Sequence, residues 1–253
     1  MLINENISTL TPSVLGEKEI QEATASEPLT LDEEYGMQQS WRQDADKLTF
    51  ITCQPIRSRV TEPSCNQATS DSAPDSTCYQ VRQNDDDAPD RMIGDVNLFL
   101  KLEEKDDNEE TSNHEPEEVI VGEVELMIAE KHLQRKGLGR ASLICFLKYI
   151  VDHTEEILAE FLAKVDASAT QEGQTATTVG SKKKQFEYLV VRIAASNGRS
   201  IALFQSLDFA AVSDEPNVFG ELELRKYGLS SSGELQTWLQ HYDIEGYREL
   251  AFN

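Results

Sequence analysis

The residues best placed to do chemistry lie in one stretch. Val121-Gly122-Glu123-Val124-Glu125-Leu126-Met127-Ile128-Ala129-Glu130 runs directly into Lys131-His132-Leu133-Gln134-Arg135-Lys136-Gly137-Leu138-Gly139-Arg140. The first half reads as a strand, and the second as a glycine-rich turn that opens an apolar helix. Gly137 and Gly139 let a ligand approach the backbone closely. The helix start beyond them offers unpaired N–H groups and a partial positive charge, a ready seat for a pyrophosphate. Lys131, His132, Arg135, Lys136 and Arg140 add cations there, with no acid after Glu130. That island is out of character in a 253-residue chain with 46 acidic and 23 basic side chains and a net charge of −23. On spacing alone, a plain helix start with solvated basic residues fits equally well. Upstream, Glu123 and Glu125 stand two apart on the strand, so their carboxylates face the same way.

Other ligand chemistries fit these residues less well. No GxxxxGK[ST] string exists for a P-loop. Gly137-Leu138-Gly139-Arg140-Ala141-Ser142 lacks the third glycine of a dinucleotide fingerprint, and about four linker residues separate it from its strand. Cys53, Cys65, Cys78 and Cys145 have no CxxC spacing and the four histidines form no HxxxH pair, so no metal site is expected. The cysteines read as reduced thiols of a cytoplasmic protein, with a nuclear location open. Cys145, inside the apolar helix, reads as a packed thiol. The net negative charge disfavours nucleic-acid backbones and anionic membrane surfaces. No run approaches the ~20 apolar residues of a spanning helix, and the first twenty residues do not read as a signal peptide.

The elements that must position these groups can be read from hydrophobic period. Thr30-Leu31-Asp32-Glu33 is a capping box opening a helix through about Arg42. Lys47–Cys53, Met92–Leu100, Val119–Ala129 and Phe186–Ala194 read as strands. Leu138–His153 is a helix with Leu143, Leu147, Ile150 and Val151 on one face, and Thr154 is expected to cap another with Ile157, Leu158, Phe161 and Leu162 inward. Asn197–Leu207 is a helix, Phe209–Val212 and Val218–Lys226 a closing hairpin, and Glu234–His241 a short helix. Residues 54–90, 101–118 and 166–184 are too polar to offset their ordering entropy and are expected to be disordered insertions. Setting these aside with the peripheral residues 1–22 and 229–253 leaves roughly 132 residues, the size of one domain. Hairpins, strand–helix–strand, then helix and hairpin make a mixed α/β sheet.

At this point the residues resemble a known family. Gln134-Arg135-Lys136-Gly137-Leu138-Gly139 matches the Q/R-x-x-G-x-G/A loop of the GCN5-related N-acetyltransferases. Asn197-Gly198-Arg199-Ser200-Ile201-Ala202-Leu203-Phe204-Gln205-Ser206-Leu207-Asp208-Phe209 resembles the segment that ends that fold, with Asp208 where glycine is usual. Thr24-Ala25-Ser26-Glu27-Pro28-Leu29-Thr30, Gly94-Asp95-Val96-Asn97-Leu98-Phe99-Leu100 and Met127-Ile128-Ala129-Glu130 are similar to the eukaryotic N-acetyltransferase 9-like proteins. The match covers residues 23–53, 91–153 and 186–226.

The resemblance implies a single α/β domain at 23–228: a mixed, mostly antiparallel sheet, two splayed central parallel strands, and flanking helices. It implies an N-acetyltransferase that moves an acetyl group from acetyl-CoA to a primary amine of a protein or peptide by direct attack. Leu126, Met127 and Ile128 would pair with pantetheine. Gln134, Arg135, Lys136, Gly137, Leu138, Gly139 and Arg140 would form the pyrophosphate loop, Asn197 would contact pantetheine, and Phe204 would pack near the sulfur. Glu125, then Glu123, is the candidate base. Asp95 and Asn97, sharing one face of the neighbouring strand, could line the acceptor end. Phe204 stands where relatives place a tyrosine acid, leaving Ser200, Tyr188 or water for that role. An edge strand and helix usually precede the Thr24–Thr30 string, where only Met1–Glu22 stand. That predicts an altered acceptor cleft or an omitted exon. The alternative function is a catalytically weak binding or scaffold protein of the same fold. Acceptor identity and oligomeric state are open.

Overall fold

A computed structural model describes residues 30–41, 43–56, 59–60, 78–79, 81–82, 84–105, 118–171, 185–229 and 232–250. Helix α1 (Leu31–Trp41) starts at the expected capping box, where Thr30 Oγ1 accepts from the Glu33 N–H and Glu33 Oε2 accepts from the Thr30 N–H at 2.8 Å. Strand β1 (Lys47–Cys53) follows, then a two-residue ladder of β2 (Arg59–Val60) with β3 (Cys78–Tyr79). Next come β4 (Met92–Glu104), β5 (Glu118–Ile128), α2 (Leu138–Asp152), α3 (Thr154–Gln171) and β6 (Tyr188–Ala194). Helix α4 (Gly198–Gln205), strands β7 (Ala210–Ala211) and β8 (Glu221–Tyr227), and α5 (Ser232–His241) complete the order.

Six strands form one sheet in the order β1-β4-β5-β6-β8-β7. Every pairing is antiparallel except β5 with β6, and that parallel register covers only Val121–Glu123 against Tyr188–Val190. Beyond Glu123, β5 stays on β4 out to Ile128 opposite Gly94, while β6 stays on β8 out to Ala194 opposite Glu221. The two strands therefore part in mid-sheet, which is the splay the resemblance implied.

Strand alternation divides the sheet into two unlike faces. Val96 and Leu98 of β4, Ile120 and Val124 of β5, Leu189 and Val191 of β6 and Leu224 of β8 point into the main core. Helix α2 covers that face with Leu143, Ile144, Phe146, Leu147 and Ile150, all buried. The opposite face carries Asp95, Asn97, Glu123, Glu125, Arg192, Glu223 and Arg225, a polar surface broken by one apolar patch of Val119, Val121, Tyr188 and Val190. Trp41 of α1 touches this side, edge-on to Phe99 at 6.1 Å.

Several expected boundaries are corrected. The stretch 54–90 contains built structure: Val81, Asp86 and Asp87 are buried, and Arg91 Nη2 donates to the Gln54 carbonyl at 3.2 Å. β4 extends to Glu104 and β5 starts at Glu118, because cross-strand pairing carries polar residues that cannot form a core alone. Helix α3 reaches Gln171, past the expected break at 166. What remains of those insertions, and residues 1–22, lies outside the described residues. Thr154 does not cap by accepting an N–H; its hydroxyl donates back to the Ile150 carbonyl at 2.6 Å. Residues 229–253 are not wholly peripheral either, since Leu235, Trp238 and Leu239 of α5 belong to the core. Among the described residues no helix is long and apolar enough to cross a membrane.

Candidate active site

The glycine-rich turn is built from two left-handed residues. Arg135 has φ 61° and Gly137 φ 82°, and Gly137 is the N-cap of α2. A side chain with a Cβ is strained at that second angle, so glycine is what the turn requires. The first bond of the α2 ladder runs from the Ala141 N–H to the Gly137 carbonyl at 3.0 Å. The N–H groups of Leu138, Gly139 and Arg140 therefore precede the ladder, and Gly137 has no side chain to cap them. Gln134 Nε2 donates to the Ile128 carbonyl at 2.8 Å, tying the turn to the end of β5. Gly139 is less constrained: a Cβ there would meet Ile128 Cγ1 and Leu126 Cδ2 at an ordinary 3.6 Å. Lys131, His132, Arg135 and Lys136 are exposed around the turn. The Arg140 guanidinium lies 4.4 Å from the Tyr242 ring centroid.

Beside this turn lies the gap between β5 and β6. The Glu187 N–H donates to the Ile120 carbonyl toward β6, while the Ala129 N–H donates to the Ile93 carbonyl toward β4. By alternation along an unbroken register, the main-chain groups of Leu126 and Ile128 point into the gap and those of Met127 point at β4. The Met127 carbonyl oxygen would sit 1.9 Å from a Cβ at Gly94, which confirms that direction. Of the three residues expected to receive an extended ligand, Met127 thus has its hydrogen-bonding groups turned away.

Asn197 and Phe204 both have partners within the fold. Asn197 Oδ1 accepts from the Ser200 N–H at 3.2 Å and caps α4. Phe204 is only 3% exposed and packs edge-on against Phe209 at 5.1 Å, so it is a core residue. The Tyr188 hydroxyl donates to Glu103, and burial with that carboxylate pushes its pKa well above the ordinary value. Burial also raises the Cys145 thiol, in keeping with a packed side chain.

The two candidate carboxylates differ sharply. Glu123 pairs with Arg192, which also holds Glu223 at 3.0 Å, and Lys101 Nζ lies 3.9 Å from Glu123. Glu125 has no hydrogen-bond or ion-pair partner among the described residues. It is open to solvent, yet the protein wall around it desolvates the carboxylate and raises its pKa; Glu123, Asp95 and Glu221 push the same way. Asp95 is pushed up to about 6 by burial, although Asn97 Nδ2 donates to its Oδ1 at 2.8 Å. Asn97 stands directly opposite Glu125 across the strands. Arg192 was missed by sequence reasoning. Its signal was the alternation Tyr188, Val190, Arg192, which puts a lone cation of an apolar strand on the glutamate face.

No family model matches the chain. Among curated proteins, it is 36% identical over 206 residues to an N-acetyltransferase 9-like protein of Schizosaccharomyces pombe, covering 77% of each chain. It is 32% identical over 240 residues to the human alpha/beta-tubulin-N-acetyltransferase 9, covering 92% of this chain and 81% of that one. The Drosophila melanogaster alpha/beta-tubulin-N-acetyltransferase 9 is 35% identical over 148 residues, which is 58% of this chain and 56% of that one. With the splayed sheet and the glycine turn in place, these similarities identify the chain as a member of the N-acetyltransferase 9-like family of GCN5-related N-acetyltransferases.

Proposed function

We propose that this protein transfers an acetyl group from acetyl-CoA to a primary amine of a protein or peptide by direct attack. The observation that carries the reading is the juxtaposition of uncapped α2 N–H groups behind a left-handed Gly137 with a strand edge at Leu126 and Ile128 that β6 does not pair, where only the Ile128 carbonyl is taken, by Gln134. The turn suits a pyrophosphate, through the helix terminus and the exposed Arg135 and Lys136. The strand edge suits an amide-bearing chain that adds like a strand. Acetyl-CoA combines both groups and supplies the thioester.

Glu125 is the base. An ammonium is not a nucleophile, so a proton must leave the nitrogen before it attacks the carbonyl carbon. The C–N bond then forms, the C–S bond breaks, and the nitrogen's second proton leaves for the thiolate or solvent. An unpaired carboxylate with a raised pKa accepts the first proton more effectively than Glu123, which is committed to Arg192. A Leu126 N–H at the gap would polarise the carbonyl oxygen. Human and fruit-fly relatives are alpha/beta-tubulin N-acetyltransferases, so tubulin is the first acceptor to assay.

Calorimetry with acetyl-CoA tests the site. Binding is expected in the wild type and at least tenfold weaker in Gly137→Asp, which places a carboxylate and a strained φ where phosphates dock. Affinity unchanged by that substitution sinks the assignment. The scaffold alternative predicts cofactor binding without turnover on any amine.

A further inference from the structure

We propose that the Asp95–Asn97–Glu125 surface is an acceptor subsite for a doubly cationic substrate, one whose reacting ammonium has a second positive group a few bonds away. The inference rests on the acetyl-transfer reading and deepens it.

Register brings these residues together. Asn97 of β4 lies opposite Glu125 of β5 and opposite Thr49 of β1, and Asp95 is two residues along β4 on the same face. Two carboxylates stand here beside a buried amide oxygen, so the surface presents acceptors. Asn97 is only 5% exposed; its Nδ2 donates to Asp95, and its Oδ1 is buried with no hydrogen-bond partner among the described residues. Thr49 Oγ1, across the strand, is likewise buried and unbonded. A buried acceptor without a donor is unfavourable in a folded protein. A ligand rich in N–H groups is what satisfies this one.

Charge leads to the same chemistry. The cations of this face are taken: Arg192 by Glu123 and Glu223, Arg225 by Glu223, and Lys101 by Glu103 and Glu123. Neither Asp95 nor Glu125 has an ion-pair partner among the described residues, and Glu221, which raises Glu125, is bonded through Asn217 instead. One arriving ammonium neutralises one of these carboxylates, and only until it gives up its proton to react. A second cation on the acceptor remains charged throughout, and so compensates Asp95 in the ground state and in the transition state alike. The shared chemistry is a protonated amine or guanidinium beside the reacting amine. It could come from a basic residue next to a peptide α-amine, or from a small diamine.

The test is a peptide series identical except at the second residue, which is Arg, norleucine or Glu, together with 1,4-diaminobutane against 1-aminobutane. Acetylation is read as kcat/KM in the full chain. The Arg peptide is expected to exceed norleucine at least tenfold and Glu by more; Asp95→Asn and Asn97→Leu should each cut the Arg/norleucine ratio below about threefold. Calorimetric titration of the same peptides into wild-type protein reads the preference even without turnover. A diamine that outruns every peptide keeps the subsite and assigns it to a small substrate. A wild-type ratio near one in both rate and binding overturns the proposal, as does a ratio surviving both substitutions. Equal acetylation of the Arg and norleucine peptides would refute the subsite and leave the acetyltransferase reading standing. Absence of acetyl-CoA binding would refute that reading, while the peptide titration would still decide the subsite.

Discussion

Replacing Asp95 with Asn is expected to stabilise the fold, and to do so in a pH-dependent way. In the folded chain burial holds the Asp95 pKa at about 6, against an ordinary 3.8. The carboxyl binds its proton more tightly folded than unfolded, so its contribution is fully present below about pH 4 and is lost as pH rises through 6. A shift of about two pKa units is worth about 3 kcal/mol of instability at pH 8. That is an upper bound, because Asp95 is not wholly shut off from water. Asparagine has no charge to desolvate, and its side-chain oxygen keeps the bond from Asn97 Nδ2. The variant should therefore gain about 2–3 kcal/mol at pH 8 and about half that at pH 5. Urea unfolding followed by the fluorescence of Trp41 and Trp238 at both pH values gives the two numbers. A gain below about 1 kcal/mol at pH 8, or one that does not shrink toward pH 5, would refute the view that Asp95 is a desolvated charge. A gain in stability alongside lost acceptor preference would mark Asp95 as a group retained at the expense of the fold.

Two further outcomes are expected. Because burial, and then Glu123, Asp95 and Glu221, raise the Glu125 pKa, kcat/KM should rise with pH through a limb above that of a free glutamate; Glu125→Gln should abolish that limb and lower kcat by about 10²–10⁴. A pH profile from 5 to 9 decides it, and an unchanged limb in the variant would move the base elsewhere. Gly94→Ala drives a methyl to 1.9 Å from the Met127 carbonyl oxygen and must force β4 off β5. A thermal scan should show loss of more than about 3 kcal/mol or no folded protein, and a change under 1 kcal/mol would contradict the register.

Much of the frame was legible in the chain. The capping box at Thr30–Glu33, the strands at 47–53 and 186–194 and the apolar stripe of α2 are local signals: a hydrogen bond across three residues, or a repeat of 2 or 3.6. The glycine turn could be read for the same reason, since helix ends and left-handed angles are properties of neighbours. Insertion boundaries were misread because polar residues such as Lys101–Glu104 are held in β4 by pairing with Glu118–Val121. Alone they bury too little to count as a strand. That Phe204 packs in the core and Asn197 caps α4 could not be read from the motif, because a motif position does not say which way a side chain packs.

The sequence by itself determined the family, the mixed sheet and the position of the glycine turn, all carried by contiguous residues. It also put Glu123 and Glu125 on one face, and the family resemblance ranked Glu125 first without a physical ground for that order. The tertiary structure supplied the ground. Arg192, 69 residues away, folds onto Glu123 and neutralises it, while Glu125 is left among Asp95, Glu221 and Glu123 with no cation. The same holds for Asn97, whose unbonded oxygen becomes evident only once β1 and β5 close on either side of it. Electrostatics and burial are summed over whatever the fold brings near, and the linear order of residues does not contain that sum.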